Sequence, residues 1–377
     1  MTEKKPHNAF RALWIFYLLI AFEIVYMITP FGLYYYSVYG KGLNFLNNSP
    51  VTSWLAGFFL PHFAKTSNLV LNVYKAVGWS LAIAGFFAFC IGAGQIYYSK
   101  LAKKQAVTGG IYNFIRHPQY VSLSICSFGL LLVWPRYIVL IMFITMLFAY
   151  YFLAQAEEKE CEAKFGRSYE EYMNRTRMFL PFTLPFSTAL HLPASGMKRH
   201  VTILAMYLII ITASLGLANL LKAYSINNLY TLYSAGSATI SLDKIEKDRL
   251  EKIIEIALKD GNVQKMLPAA INDRGGKFLN YVLPADWFFP DIPMKDARNI
   301  GEHYSPNDYD RDLFKILFMR AILKQGSTDP EGKALILNTV KRKPIIEVEV
   351  SLNQNRVVRI DNPSPTVIWG DIPTPLF

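Results

Sequence analysis

Five apolar runs decide what this chain can fold into. Residues 12–29 ("ALWIFYLLIAFEIVYMIT"), 76–98 and 201–221 each match the roughly 20 residues a helix needs to cross a hydrocarbon layer. Residues 120–134 and 137–154 form a pair, split by Pro135-Arg136, that reads as a tight helical hairpin. A backbone in lipid must satisfy its own hydrogen bonds, so such runs are expected to be helices packed side by side. Composition agrees: 52% of the 377 residues are hydrophobic and 18% are charged, against about 25% charged in soluble domains. The stretch "WLAGFFLPHF" (54–63) is too short to span and is expected to lie at the membrane interface.

The formal charge of +11 sits almost wholly in the membrane half. Residues 1–221 hold 18 Lys and Arg against 8 Asp and Glu, whereas residues 222–377 hold 21 against 20. The basic excess is therefore not a nucleic-acid footprint. With five spans, 14 of the 18 basic residues fall on one side, Lys5, Lys100, Arg116, Lys164 and Arg199 among them. Only Lys41, Lys65, Lys75 and Arg136 fall on the other. The positive-inside rule then predicts a cytoplasmic amino terminus and a carboxy-terminal part outside, in the inner membrane if the chain is bacterial. The first run is too long for a signal peptide and lacks a small-residue cleavage site, so it is expected to stay as an anchor.

After Leu221 charge, Gly and Pro mix with short apolar periods, as in a soluble α+β domain. The expected organisation is a membrane domain over 1–199, a last helix and linker over 200–222, and the soluble domain over 223–377. That domain has no cysteine, since Cys90, Cys126 and Cys161 all precede it, so it must be stable without disulfides. Within it, residues 242–261 are predicted as a helix stopped by Gly261, and 305–326 as a second helix opened by Ser, Pro, Asn and Asp. Residues 345–360 alternate on either side of Asn353–Asn355, which predicts a hairpin. No repeat, phosphate loop or metal-ligand spacing is visible there. An envelope protein is a possible partner for this part.

Chemistry concentrates at the two ends of the hairpin. Tyr112, Arg116, His117, Pro118 and Tyr120 precede the third span, and a polar segment over 155–182 follows the fourth. A helix that goes in and returns brings both to one membrane face, so His117 and Glu157 can meet although 40 positions separate them. Pro118 suits a first helical turn, whose backbone N–H groups can receive an anion. Glu157 and Glu158 can accept hydrogen bonds from hydroxyls or an ammonium, and Tyr112 and Tyr120 can face a cation. A ligand carrying carboxylate, ammonium, ribose and sulfonium, S-adenosylmethionine, fits all of these. Taken singly, each piece has an ordinary reading: Arg-His as a snorkelling anchor, Glu-Glu as a solvated face, the tyrosines as belt residues. Glu23, inside the first span, is either a site residue or a neutral group bonded to a neighbouring helix.

The pair "VTGGIYNFIRHPQY" (107–120) and "EEKECEAKFGRSYEEYMNRTRMFLPF" (157–182) resembles the superfamily of isoprenylcysteine carboxyl methyltransferases and phospholipid N-methyltransferases, over roughly residues 75–185. The resemblance implies a cytoplasm-facing site for S-adenosylmethionine, with the acceptor arriving from the lipid. By position, Val107, Tyr112, His117, Pro118 and Tyr120 match cofactor-contacting residues, and Glu157 matches the cofactor-binding carboxylate. Glu158 completes the pair of the phospholipid branch, and "IGAGQ" (91–95) resembles that branch's glycine motif through Gly92 and Gly94, glycines that in a span equally serve close packing. Arg116, to steady a cofactor carboxylate or an acceptor phosphate, and Glu158, to take a proton, are the catalytic candidates. Leu153 stands where the prenylcysteine branch has a substrate-facing arginine, and Lys104-Gln105-Ala106 also departs from that branch. The acceptor is thus left open among lipids and small hydrophobic carboxylates, amines and thiols. Two other readings remain: an NADPH-dependent membrane reductase of the sterol-reductase type, which shares an R-H-x-x-Y element, and a non-catalytic membrane-anchored envelope interaction protein.

Overall fold

The computed structural model describes residues 42–102, 107–182, 196–271, 276–295, 303–324, 326–365 and 373–377. The expected first span with Glu23 and the segment Lys104–Ala106 lie outside these. A short helix α1 (Gly42–Asn48) is followed by α2 (Leu69–Leu101), α3 (Pro118–Val133), α4 (Tyr137–Phe165), α5 (Arg167–Arg175) and α6 (Met197–Asn227). Three of these are long and apolar enough to cross a membrane: α2 with 33 residues, α4 with 29 and α6 with 31. Helix α3 is apolar but has 16 residues, about 24 Å at 1.5 Å per residue, short of the ~30 Å hydrocarbon thickness. The hairpin is present, its turn at Pro135-Arg136 as expected. Helix α6 exposes Val201, Leu204, Leu208, Ile209, Leu217 and Leu220, side chains that lipid accommodates and water does not.

The chain divides into two compact units. The first includes Val77–Leu131 and Ile141–Ile211; the second comprises Tyr39–Ala76, Leu132–Leu140 and Thr212–Phe377. In the first, α2 and α3 cross on glycine. A Cβ on Gly85 would stand 2.5 Å from the backbone nitrogen of Cys126, and one on Gly129 would stand 2.4 Å from that of Ala82. No side chain fits at either place. This close approach is how helices without a hydrophobic driving force between them gain packing in lipid. Helix α4 meets α6 through Thr145 Oγ1 and the Tyr207 hydroxyl at 3.0 Å, with the Tyr207 ring edge-on to Phe148.

The second unit carries a six-stranded sheet in simple order: β1 (Thr231–Ser234), β2 (Ser237–Ser241), β3 (Phe278–Pro284), β4 (Leu313–Leu323), β5 (Thr339–Ser351) and β6 (Arg356–Asp361). All neighbours are antiparallel except β2 and β3, which the helices α7 (Lys247–Lys259) and α8 (Gly261–Ile271) join by a crossover. A last short helix, α9 (Gly332–Asn338), precedes β5. Phe314, Ile316 and Phe318 of β4 pack with Leu250, Ile253 and Ala257 of α7 on one face. Leu317, Met319 and Ala321 pack with Phe63, Trp287, Phe289, Leu335 and Phe377 on the other.

Three expectations change here. Residues 313–323 form a strand, not a helix: β4 lies between β3 and β5 with both faces covered, so its apolar residues run on without alternation. Gly261 does not stop a helix but begins α8, capped by Asp260 Oδ1, which accepts from the backbone nitrogens of Asn262 and Val263 at 2.9 and 3.2 Å. Residues 58–63 do not float at an interface, because Phe58, Phe59, Leu60 and Phe63 are buried within the second unit. The hairpin turning at 353–355 is present, with Asn355 at φ 51, a conformation that Asn tolerates better than most residues.

Candidate functional site

The site is built where α3 begins and α4 ends. Helix α4 outlasts its apolar stretch by about three turns, so Glu157 and Glu158 project beyond it toward the segment before α3. Glu158 Oε1 accepts from Arg116 Nε at 2.6 Å and lies 3.1 Å from His117 Nε2. His117 Nδ1 faces Glu157 Oε2 at 3.4 Å, and the Tyr120 hydroxyl donates to Glu157 Oε1. The imidazole thus bridges two carboxylates. Its ring is parallel to Tyr120, 5.6 Å between centroids, and Tyr120 in turn stacks on Tyr150 at 4.7 Å.

Burial opposes charge on His117, whose side chain is 4% exposed. The hydrogen bonds and negative charge of Glu157 and Glu158 outweigh that and raise its pKa above the ordinary 6.5. A neutral imidazole would point one bare nitrogen at a carboxylate oxygen; the imidazolium donates to both.

The motif after Glu158 serves to close this wall. Gly166, at φ 56, lets the chain break from α4 into α5. Helix α5 then buries Tyr169 and Tyr172, and the Tyr172 hydroxyl donates to the Tyr112 carbonyl at 2.8 Å. Burial, the leading cause, pushes the Tyr172 phenol up to about 12, so it remains a donor at physiological pH. Arg116 Nη1 donates to the carbonyls of Met173 and Thr176 at 3.1 and 2.5 Å. The backbone nitrogens of Arg116 and His117 donate to Arg177 and Met178. Those two amides are therefore committed to the chain itself.

Every site candidate has a place. Arg116, His117, Tyr120, Glu157 and Glu158 come together directly, and Pro118 is the first residue of α3. The buried Tyr112 lies in a short 3-10 turn (Gly110–Asn113) and donates to Gln119 Oε1 at 2.8 Å, with the Gly92 carbonyl 3.2 Å away. Gly92 is tight: a Cβ there would stand 3.1 Å from Ile111 Cδ1. Gly94 faces open space, and Val107 is half-buried. Of the two catalytic candidates, Arg116 uses Nε and Nη1 on Glu158 and on the end of α5, and Glu158 uses Oε1 on Arg116 and His117.

Gln95, the last residue of the quoted glycine motif, had no role assigned to it. Its Oε1 is buried without a hydrogen-bond partner among the described residues. Gly110 closes over it, since a Cβ at 110 would stand 2.6 Å from Gln95 Nε2 and that glycine also holds φ 64. A polar residue inside a long apolar helix was the signal that marked it.

Comparison with known proteins bears on this region. Residues 73–168 match the family model of phospholipid methyltransferases. The chain is also similar to the protein-S-isoprenylcysteine O-methyltransferase of Schizosaccharomyces pombe, 26% identical over 123 residues, covering 30% of this chain and 52% of that protein. The chain thus spans about half the length of the curated relative it matches. No solved structure matches.

Proposed function

We propose, from the premise that residues 73–168 belong to the isoprenylcysteine carboxyl methyltransferase and phospholipid methyltransferase superfamily, that this protein transfers a methyl group from S-adenosylmethionine to a lipid or small hydrophobic acceptor in the membrane. The observation that carries the reading is the network of Arg116, His117, Tyr120, Glu157 and Glu158, closed across the two ends of one apolar hairpin.

The residues present fit the methyl donor. Glu157 keeps a side chain 32% exposed, a carboxylate still reachable by an ammonium or ribose hydroxyls. Gln95 offers a buried acceptor with nothing among the described residues to accept from, and Gly94 leaves space beside it in sequence. The Tyr120 ring, stacked between His117 and Tyr150, holds the Glu157 carboxylate in place through its hydroxyl. Glu157 and Gln95, with Tyr120 behind Glu157, are thus the residues to hold the donor. S-adenosylmethionine, when bound, supplies an electrophilic methyl group on a sulfonium.

The chain's own part is orientation and the exclusion of water. Arg116 and Glu158 act by position, their buried pair fixing the start of α3 against the end of α4. A preset geometry of this kind supplies several kcal/mol of a transfer barrier without covalent help from the protein. Where the acceptor must lose a proton, Glu158 is the carboxylate to take it, since Glu157 is given to the donor. An ionised carboxylate acceptor needs no base at all. The gathering of Lys100, Arg116, Lys159 and Lys164 at this end supports a cytoplasm-facing site.

Calorimetry on the detergent-solubilised chain tests the reading. S-adenosylmethionine should bind with micromolar affinity, and Glu157→Gln should weaken it at least tenfold. Transfer of labelled methyl to a membrane lipid extract then identifies the acceptor class. Saturable binding of NADPH in place of S-adenosylmethionine would overturn the reading in favour of a reductase.

A further inference from the structure

The second unit contains a cluster that the methyl-transfer reading does not use. His62 lies in the segment before α2, while Asp291 and His303 lie in the connection between β3 and β4. Each offers one ligand atom, and the three atoms all fall within 4.8 Å of one another. His303 Nε2 is already 2.6 Å from Asp291 Oδ2. We propose that His62, Asp291 and His303 bind one divalent transition metal of the zinc class, with a fourth position left open.

The first argument is the donor set. Two imidazoles and one carboxylate suit zinc and its neighbours, whereas calcium and magnesium ask for oxygens alone. Metal–ligand bonds of about 2.0–2.1 Å put tetrahedral donors roughly 3.3 Å apart. The observed separations bracket that spacing, so small side-chain rotations reach it.

The second argument is independent. His62 is 8% exposed, and its Nδ1 is buried with no hydrogen-bond partner among the described residues. A core imidazole normally pairs both nitrogens. This one is instead fixed by aromatic contacts: it stacks on Trp134 at 4.9 Å and stands edge-on to His303 at 5.4 Å, and His303 in turn stands edge-on to Phe289 at 5.1 Å. Rings held by packing, with a ring nitrogen left over, are prepared for a ligand that is not part of the chain.

Three cations stand nearby and set the strength of the site, among them Arg342, whose Nη2 donates to the Asp291 carbonyl at 2.6 Å. Lys75 Nζ donates to the His62 carbonyl, and Arg136 donates to the carbonyls of Ala56 and Pro373. With one carboxylate against these charges, the metal is held less tightly than in a closed four-ligand site and is removable by chelator. His303 has a side chain 29% exposed and provides the access. The ion would tie the segment before α2 to the loop after β3, and the His62 backbone already holds the chain end by donating to the Phe377 carbonyl at 2.6 Å. This unit has no cysteine, so a metal would be its sole covalent-strength cross-link.

The test uses the full chain, free of any purification tag, solubilised and stripped with chelator. Zinc is titrated by calorimetry, and cobalt by its visible absorption as a reporter of tetrahedral ligation. The expected result is one equivalent per chain, a thermal midpoint that rises with added zinc, and at least tenfold weaker binding in His303→Ala and in Asp291→Asn. Asp291→Asn keeps the side-chain volume and a hydrogen-bonding partner for His303, so this variant should leave the metal-free midpoint near wild type and show that binding, not folding, was lost. No saturable zinc binding by the wild-type chain, or unchanged stoichiometry and affinity in both variants, would overturn the proposal. Neither result bears on S-adenosylmethionine, which is measured in the other unit.

Discussion

Glu158 Oε1 receives Arg116 and His117 together, at 2.6 and 3.1 Å, across 42 and 41 residues of intervening chain. One carboxylate oxygen thereby closes the hairpin, because it ties the residues that begin α3 to the last turns of α4. The interaction is largely buried, with the side chains of Arg116 and Glu158 12% and 13% exposed. Such a pair contributes little net stability when intact, but removing one partner strands a charge.

Glu158→Ala should therefore destabilise the protein by about 3–5 kcal/mol, and Arg116→Ala by a similar amount. The double variant Arg116→Met/Glu158→Leu should recover much of the loss, since no uncompensated charge remains. Thermal unfolding of the solubilised protein checks this. Strictly additive losses would show that the two side chains are not coupled.

His117 makes the stability depend on pH in a definite direction. Its pKa in the folded protein is raised above the ordinary 6.5. The stabilisation from its two carboxylates is thus fully present below about pH 6.5 and is lost as pH rises through the folded-state value. Relative to His117→Gln, the wild-type thermal midpoint should fall as pH is taken from about 6 to about 9. A difference that grows with pH would contradict a protonated bridge.

The glycines of the α2–α3 crossing should prove far less replaceable than Gly94 of the quoted motif. Gly85→Ala and Gly129→Ala each force a backbone shift, and overpacking of this kind costs about 1–3 kcal/mol or more. Gly94→Ala meets open space and should leave the thermal midpoint within about 0.5 kcal/mol of wild type. If Gly129→Ala folds with wild-type stability, the two helices do not cross as described.

What the sequence made legible follows from how each feature is encoded. The apolar runs and the hairpin are local signals, and the polar residues at both hairpin ends are conspicuous against lipid-facing neighbours. Their meeting needed only the return of α4 past α3. The strand β4 was read as a helix because "LFKILFMRAIL" (313–323) is apolar on both faces, and a strand buried on both sides shows no period. Phe63 packs on a sheet that begins more than 150 residues later, and Phe58 and Phe59 pack against Trp134 and Tyr137, none of which a window near residue 60 contains. Gly85 and Gly129 are not distinguishable in sequence from Gly92 and Gly94, because glycines within a span look alike until the partner helix is placed. His62, Asp291 and His303 share no spacing pattern, since 229 residues separate the first two.

Gln95 separates a binding role from a structural one. Its Oε1 is a buried acceptor without a partner among the described residues, a group whose burial costs about 1–3 kcal/mol when nothing donates to it. A structural glutamine in that position is poorly chosen, and Gln95→Met removes the unmet acceptor while nearly keeping the volume. The variant should be as stable as wild type or more so. If the oxygen waits for a hydroxyl or an ammonium of S-adenosylmethionine, the same change should weaken binding of that ligand about tenfold, near 1.4 kcal/mol. Thermal unfolding and calorimetry on one preparation read both effects. Loss of stability with unchanged affinity would mean that Gln95 packs and does not bind. The opposite pattern, a firmer protein that holds its methyl donor less well, is the expected stability–function trade-off of a binding residue.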